Sequence, residues 1–138
     1  MSFLGKVKKK LRNGSWYPFY NTFYEKNNLD PHMILLESRS GKALESNILS
    51  LLKELCQEPY RSFTLVLSVH RDSENEIKEK LQKNSIQGVR FVRTGSVAYY
   101  HALSRAGYLV NDTSFPGRFI KKEGQIYLNT WHGTPLKK

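Results

Sequence analysis

At 138 residues, with 39% hydrophobic and 25% charged side chains, the chain is long enough for one domain with a real core and short for a two-domain enzyme. A formal net charge of +10 calls for an acidic partner, and nucleic acid, an anionic membrane surface and a polyanionic substrate all fit it. The single cysteine, Cys56, excludes an intrachain disulfide, and no apolar run approaches the ~20 residues that cross a bilayer. Nor does the start of the chain have the long apolar core of an export signal.

In chain order, residues 1–28 stand apart from 29–138. Lys6, Lys8, Lys9, Lys10 and Arg12 precede the first acid, Glu25. Phe3, Leu4, Val7 and Leu11 recur at helical spacing, and Trp16, Tyr17, Phe19, Tyr20, Phe23 and Tyr24 follow. A basic amphipathic helix followed by aromatic rings suits a membrane surface, where lysines meet anionic lipid and rings lie among headgroups. A packed terminal helix with solvated lysines is the alternative.

From residue 29 onward short apolar runs alternate with helical stretches. Strands are expected at 32–36, 63–69, 89–92, 108–110 and 125–129. Leu44, Ile48, Leu51, Leu52 and Leu55 form one apolar helical face, ended by Pro59. Ser73 and Glu76 offer a capping box for a helix reaching Lys83, and residues 96–105 read as a further helix. Cys56 is expected at the core or its boundary. This alternation implies an α/β fold, a Rossmann-like parallel sheet covered on both faces.

Ligands of such sheets gather beyond the carboxyl ends of the strands, where two turns draw notice. The first runs from Glu37 to Lys42. Its Ser38, Ser40, Gly41 and Lys42 could hold a phosphate through hydroxyls, backbone N–H groups and positive charge, or form an ordinary strand-to-helix connection. It lacks the spacing of a Walker motif. The second is Trp131-His132-Gly133-Thr134-Pro135. Here glycine permits close backbone approach, proline stiffens the turn, and a neutral His132 can accept a proton near pH 7. His32, His70 and His101 have no metal-ligand spacing, so no metal and no cofactor is expected. Phe115, Pro116 and Phe119 read as loop packing, and Arg118, Lys121 and Lys122 as a solvated basic face.

The stretch from Tyr108 to Lys138, ending in Asn129-Thr130-Trp131-His132-Gly133-Thr134-Pro135-Leu136-Lys137, closely resembles the CDP-glycerol glycerophosphotransferase family of teichoic acid primases and polymerases. The Glu37 to Lys42 turn is similar to that family's first loop, so the resemblance covers about residues 30–138. Where many members follow the Gly-Lys pair with Asp-Asn-Pro, this chain has Ser46-Asn47-Ile48. The resemblance implies the amino-terminal, acceptor-side domain of a GT-B glycosyltransferase fold. It implies His132 as general base, taking the proton of a lipid-linked acceptor hydroxyl that attacks CDP-glycerol. Gly133, Thr134 and Lys137 would assist at the phosphates.

The implied partners are CDP-glycerol, held by a carboxyl-terminal domain beyond Lys138, a lipid-linked polyanionic acceptor and an anionic membrane. The implied place is the cytoplasmic face of a bacterial membrane, peripherally bound. The 138 residues alone are expected to be an incomplete, inactive enzyme. The rival expectation is a non-catalytic peripheral membrane-binding module, and no motif supports specific nucleic-acid binding. In a sedimentation assay with anionic liposomes the chain is expected to pellet through residues 1–24. Equal pelleting without them would remove that tether.

Overall fold

The computed structural model describes residues 28–113, 115 and 122–130. The basic and aromatic residues Lys6, Lys8, Lys9, Lys10, Arg12, Trp16 and Tyr17 lie outside the described residues, as does everything from Trp131 to Lys138.

The chain alternates strand and helix: β1 Asp30–Glu37, α1 Ser46–Leu55, β2 Thr64–Val69, α2 Glu74–Lys83, β3 Arg90–Arg93, α3 Val97–Arg105, β4 Ala106–Asn111 and β5 Ile126–Asn129. Short 3-10 turns precede or follow these elements at Arg39–Gly41, Glu58–Tyr60 and Arg71–Ser73. All pairings are parallel, and the strands lie in the order β3-β2-β1-β4-β5. The chain first builds outward from β1 through β2 to β3, then returns to lay β4 on the other side. That reversal makes the β1/β4 boundary the topological switch point, the position where open parallel sheets bind ligands.

β1 is the central strand, which explains its sequence. Ile34, Leu35 and Leu36 are all buried, because alternate side chains enter opposite layers and both layers are covered. Ile34 and Leu36 join Leu65 and Leu67 against Leu44, just before α1, Ile48 and Leu52 of α1, and Ile77 and Leu81 of α2. Leu35 joins Val66 and Leu109 against Tyr99, Tyr100, Ala102 and Leu103 of α3. β5 is, with β3, one of the two edge strands among those described, and its Ile126 and Leu128 are more than half exposed. No helix among the described residues is long and apolar enough to cross a membrane.

α3 passes into β4 without a loop, and Gly107 lets the first residues of β4 lie close against the start of β1. A Cβ there would stand 2.9 Å from the Asp30 carbonyl oxygen and 3.0 Å from Pro31 Cα, where the β1–β4 register shifts. β5 is anchored at its entry by buried Gln125, whose amide donates to the carbonyls of Leu103 (2.9 Å) and Ala106 (2.8 Å).

The expected α/β class and all eight elements are present, with three local corrections. Ser73 makes no side-chain cap. The chain instead approaches α2 through the Arg71–Ser73 turn, which His70 caps by accepting the Asp72 N–H at 3.2 Å. Cys56 is exposed, because it lies past the end of α1, beyond the stripe that faces the sheet. Lys122 is no freely solvated base: its stem is partly buried and its Nζ donates to the Ser104 carbonyl at 3.3 Å. Phe115 packs as expected, buried and edge-on to Tyr127 with ring centroids 5.5 Å apart.

Leu52→Ala should cost about 2–5 kcal/mol in urea unfolding, because Leu52 is fully enclosed. Leu128→Ala on the exposed side of β5 should cost far less, and similar losses would contradict this account of the core.

Candidate functional site at the carboxyl end of the sheet

Five of the seven buried polar residues named in the core lie at the carboxyl ends of the central strands: Glu37, Ser38, Ser68, Asn111 and Asp112. They are enclosed because β1, β2 and β4 continue up to the rim, where helix and loop cover them. A buried polar group must find a partner or cost free energy, and nearly all of these find one.

Two networks result. In the first, the Ser38 hydroxyl donates to Asp112 Oδ2 at 2.7 Å, and the Arg39 N–H donates to Asp112 Oδ1 at 2.7 Å. Ser38 Oγ also accepts the Glu45 N–H at 2.8 Å, so the residue that opens α1 is held by a hydroxyl seven positions earlier. In the second, the Tyr99 hydroxyl donates to Glu37 Oε2 at 3.1 Å from the far layer. Asn111 Oδ1 accepts the Tyr127 hydroxyl at 2.7 Å, while its Nδ2 is buried without a partner among the described residues.

The turn between these networks has unusual backbone. Arg39, Ser40 and Gly41 hold φ of 51°, 56° and 83° in succession. Left-handed geometry suits glycine and costs a non-glycine residue on the order of 1 kcal/mol. Gly41 is required at its place, because a Cβ would collide with the Thr94 hydroxyl and come within 2.8 Å of the His70 nitrogen. The Gly41 carbonyl accepts the His70 N–H at 2.7 Å, tying the turn to the end of β2. Thr94 is itself held against Ser68, with their hydroxyl oxygens 2.8 Å apart.

The exit of β5 joins the same rim. The Thr130 N–H donates to the Asn111 carbonyl at 2.8 Å, and Asn129 Nδ2 donates to the Thr113 carbonyl at 2.6 Å. Asn47, in the first turn of α1, reaches the Thr130 carbonyl at 3.5 Å. The turn after β1 is thus bonded to Asp112, and the chain leaving β5 to Asn111 and Thr113 on either side of it.

Of the residues singled out from sequence, Ser40 and Lys42 are exposed on the turn, while Ser38 and Gly41 are buried within it. The Ser38 hydroxyl is engaged on both sides by the scaffold. His132, Gly133, Thr134 and Lys137 lie outside the described residues. Sequence reasoning placed Glu37 in the turn after β1 but missed Asp112, Asn111 and Tyr99 as parts of the rim. The signal available was a polar pair, Asn111-Asp112, directly ending an apolar strand. Among the described residues no group of three or more His, Cys, Asp or Glu side chains gathers as a metal site would.

An all-parallel sheet of order 3-2-1-4-5 with a polar turn at its switch point defines a Rossmann-like domain, a fold that places ligands at the strand ends. The family described as CDP-Glycerol:Poly(glycerophosphate) glycerophosphotransferase matches residues 19–138, and the chain belongs to it. It is 31% identical over 119 residues to a teichoic acid poly(glycerol phosphate) polymerase of Staphylococcus epidermidis, covering 86% of this chain and 15% of that protein. It is 27% identical over 133 residues to a teichoic acid glycerol-phosphate transferase of Staphylococcus aureus, covering 96% of this chain and 32% of that one.

Among solved structures, the wall teichoic acid polymerase TagF in a variant soaked with CDPG superposes with a TM-score of 0.69 at 26% identity, covering 98% of this chain and 33% of that one. A second TagF variant gives 0.67 at 29% identity, over 95% of this chain and 29% of that one. The chain therefore spans less than a third of the length of each of these relatives or about a third.

The rim carries a pH signature. Burial pushes the Glu37 carboxyl up from 4.5 to about 7; the Tyr99 hydroxyl opposes this and the nearby Asp112 charge adds to it. The same burial, with Glu37 beside it, drives the Tyr99 phenol far above its usual range. Between pH 4.5 and 7 the folded chain holds a proton on Glu37 that the unfolded chain releases. Stability therefore falls as pH rises through this window, by on the order of 3 kcal/mol from this group. Glu37→Gln, which stays neutral, should flatten this decline in urea midpoints measured from pH 4.5 to 8. An unchanged slope would show that Glu37 does not titrate there.

Proposed function

We propose that this chain forms the acceptor side of an enzyme that transfers glycerol phosphate from CDP-glycerol to a hydroxyl of a membrane-linked teichoic acid-type polymer. The observation that carries the reading is the family match over residues 19–138, which takes in the whole Trp131-His132-Gly133-Thr134-Pro135 element. The bonds that tie Thr130 to Asn111 and Asn47 support it, because they bring the chain entering that element to the rim that bears Ser40 and Lys42.

In this reading His132 is the general base. An acceptor hydroxyl gives its proton to the imidazole while its oxygen attacks the β-phosphorus of CDP-glycerol. A new P–O bond forms, the pyrophosphate P–O bond breaks, and CMP leaves with the electron pair. Most of the acceleration comes from holding the two reactants in line and neutralising the phosphate charge. Ser40, the backbone at Gly41, and Lys42 receive acceptor phosphate, with Gly133, Thr134 and Lys137 on the facing side. Ser38 braces the turn from beneath. The nucleotide is held by a carboxyl-terminal domain of the full protein. Lys6, Lys8, Lys9, Lys10, Arg12, Trp16 and Tyr17 keep the enzyme on the anionic cytoplasmic face of the membrane, where a lipid-linked acceptor is found.

The test is His132→Ala in the full polypeptide that carries this chain, assayed with radiolabelled CDP-glycerol and a lipid-linked glycerol phosphate primer. Loss of a general base should lower kcat by about 10²–10⁴-fold with the protein still folded. Activity within twofold of the parent would overturn the role of His132. An inactive parent protein would overturn the reading as a whole.

A further inference from the structure

A strained turn persists only when its surroundings over-determine it, and the two ends of the Arg39–Gly41 turn are held differently. The far end is locked by packing: the Gly41 carbonyl accepts the His70 N–H at 2.7 Å, and the glycine fits closely against Thr94. At the near end one buried side chain takes two bonds. Asp112, at the end of β4, takes the Ser38 hydroxyl on one carboxylate oxygen and the Arg39 N–H on the other, each at 2.7 Å. Asp112 is fully enclosed, so water does not compete for either oxygen, and both are charge-assisted bonds. Ser38 passes the restraint on by accepting the Glu45 N–H at 2.8 Å, which sets the start of α1 relative to the turn.

We propose that Asp112 is the positioning residue of the acceptor site, clamping Ser38 and Arg39 so that exposed Ser40 and Lys42 meet the acceptor's phosphate groups. This rests on the reading of that turn as the place where acceptor phosphate binds. Asp112 touches no substrate and acts through the turn. The clamp crosses the switch point, so it also sets the distance between the turn and the chain leaving β5, whose Thr130 is bonded to the neighbouring Asn111. A carboxylate is suited to this task because both incoming groups are donors. An asparagine offers one acceptor oxygen and one NH2 group, so both bonds lose their charge assistance and Ser38 can meet the NH2 only by turning from donor to acceptor.

The experiment is steady-state kinetics of Asp112→Asn in the full polypeptide, varying the lipid-linked glycerol phosphate primer and CDP-glycerol separately. The KM for the primer should rise about tenfold, the scale of one lost charge-assisted bond, while kcat and the KM for CDP-glycerol stay within twofold. Ser38→Ala should shift the same constant in the same direction, and the double variant should add little, because both changes release one clamp. If Asp112→Asn fails to fold, Ser38→Ala alone carries the test.

A primer KM unchanged in a folded variant would overturn the proposal. So would a parallel loss in kcat and both KM values accompanied by a lower unfolding temperature, which marks a purely structural role. A parent protein that transfers nothing from CDP-glycerol removes the functional reading and this inference together. An active parent with an unaltered primer KM in Asp112→Asn removes this inference alone.

Discussion

The rest of the domain depends on the enclosure of β1 between β2 and β4, with helices on both faces. Enclosure makes Ile34, Leu35 and Leu36 a continuous apolar run, and it leaves no water for the polar residues that follow. Glu37 and Ser38 must therefore be satisfied by other chain segments, and the partners come from far away: Tyr99 in one layer, Asp112 on the neighbouring strand. Burial of one strand thus dictates a polar network at the switch point, the place where a parallel sheet offers strand ends and backbone N–H groups to a ligand.

The same enclosure links stability to function. Apolar packing alone would have let the turn after β1 relax to ordinary right-handed geometry. Instead Asp112 and the contact of Gly41 with β2 and Thr94 hold three left-handed residues in a row. Ser40 and Lys42, the side chains proposed to meet acceptor phosphate, stand exposed on this turn. Glu37, raised toward neutrality by its burial, keeps a second carboxylate charge away from that surface at acidic pH.

The family match spans residues 19–138 and so takes in both the turn after β1 and the chain leaving β5. Between them Asn47, in the first turn of α1, reaches across to the Thr130 carbonyl at 3.5 Å.

Much was legible in the sequence because it is written in local patterns. The leucine spacing of α1, the apolar runs of β1, β2 and β4, and the strand-helix alternation follow from periodicities of 3.6 and 2, which any burying environment enforces. The residue types of the 37–42 turn and of the element around His132 marked the candidate chemistry equally early. Other features were decided only by tertiary structure. The capping role expected of Ser73 went to His70, because a short 3-10 turn intervenes before α2. Ser38 is a brace beneath the turn, because Asp112 and Glu45 take both sides of its hydroxyl. Asp112 gave no sign in isolation of being more than a charge beside an apolar run, and Glu37, though in the turn that drew notice, gave none of its bond to Tyr99. Their significance comes from contacts spanning 62 to 74 positions of sequence, which form only when parallel strands are brought into register.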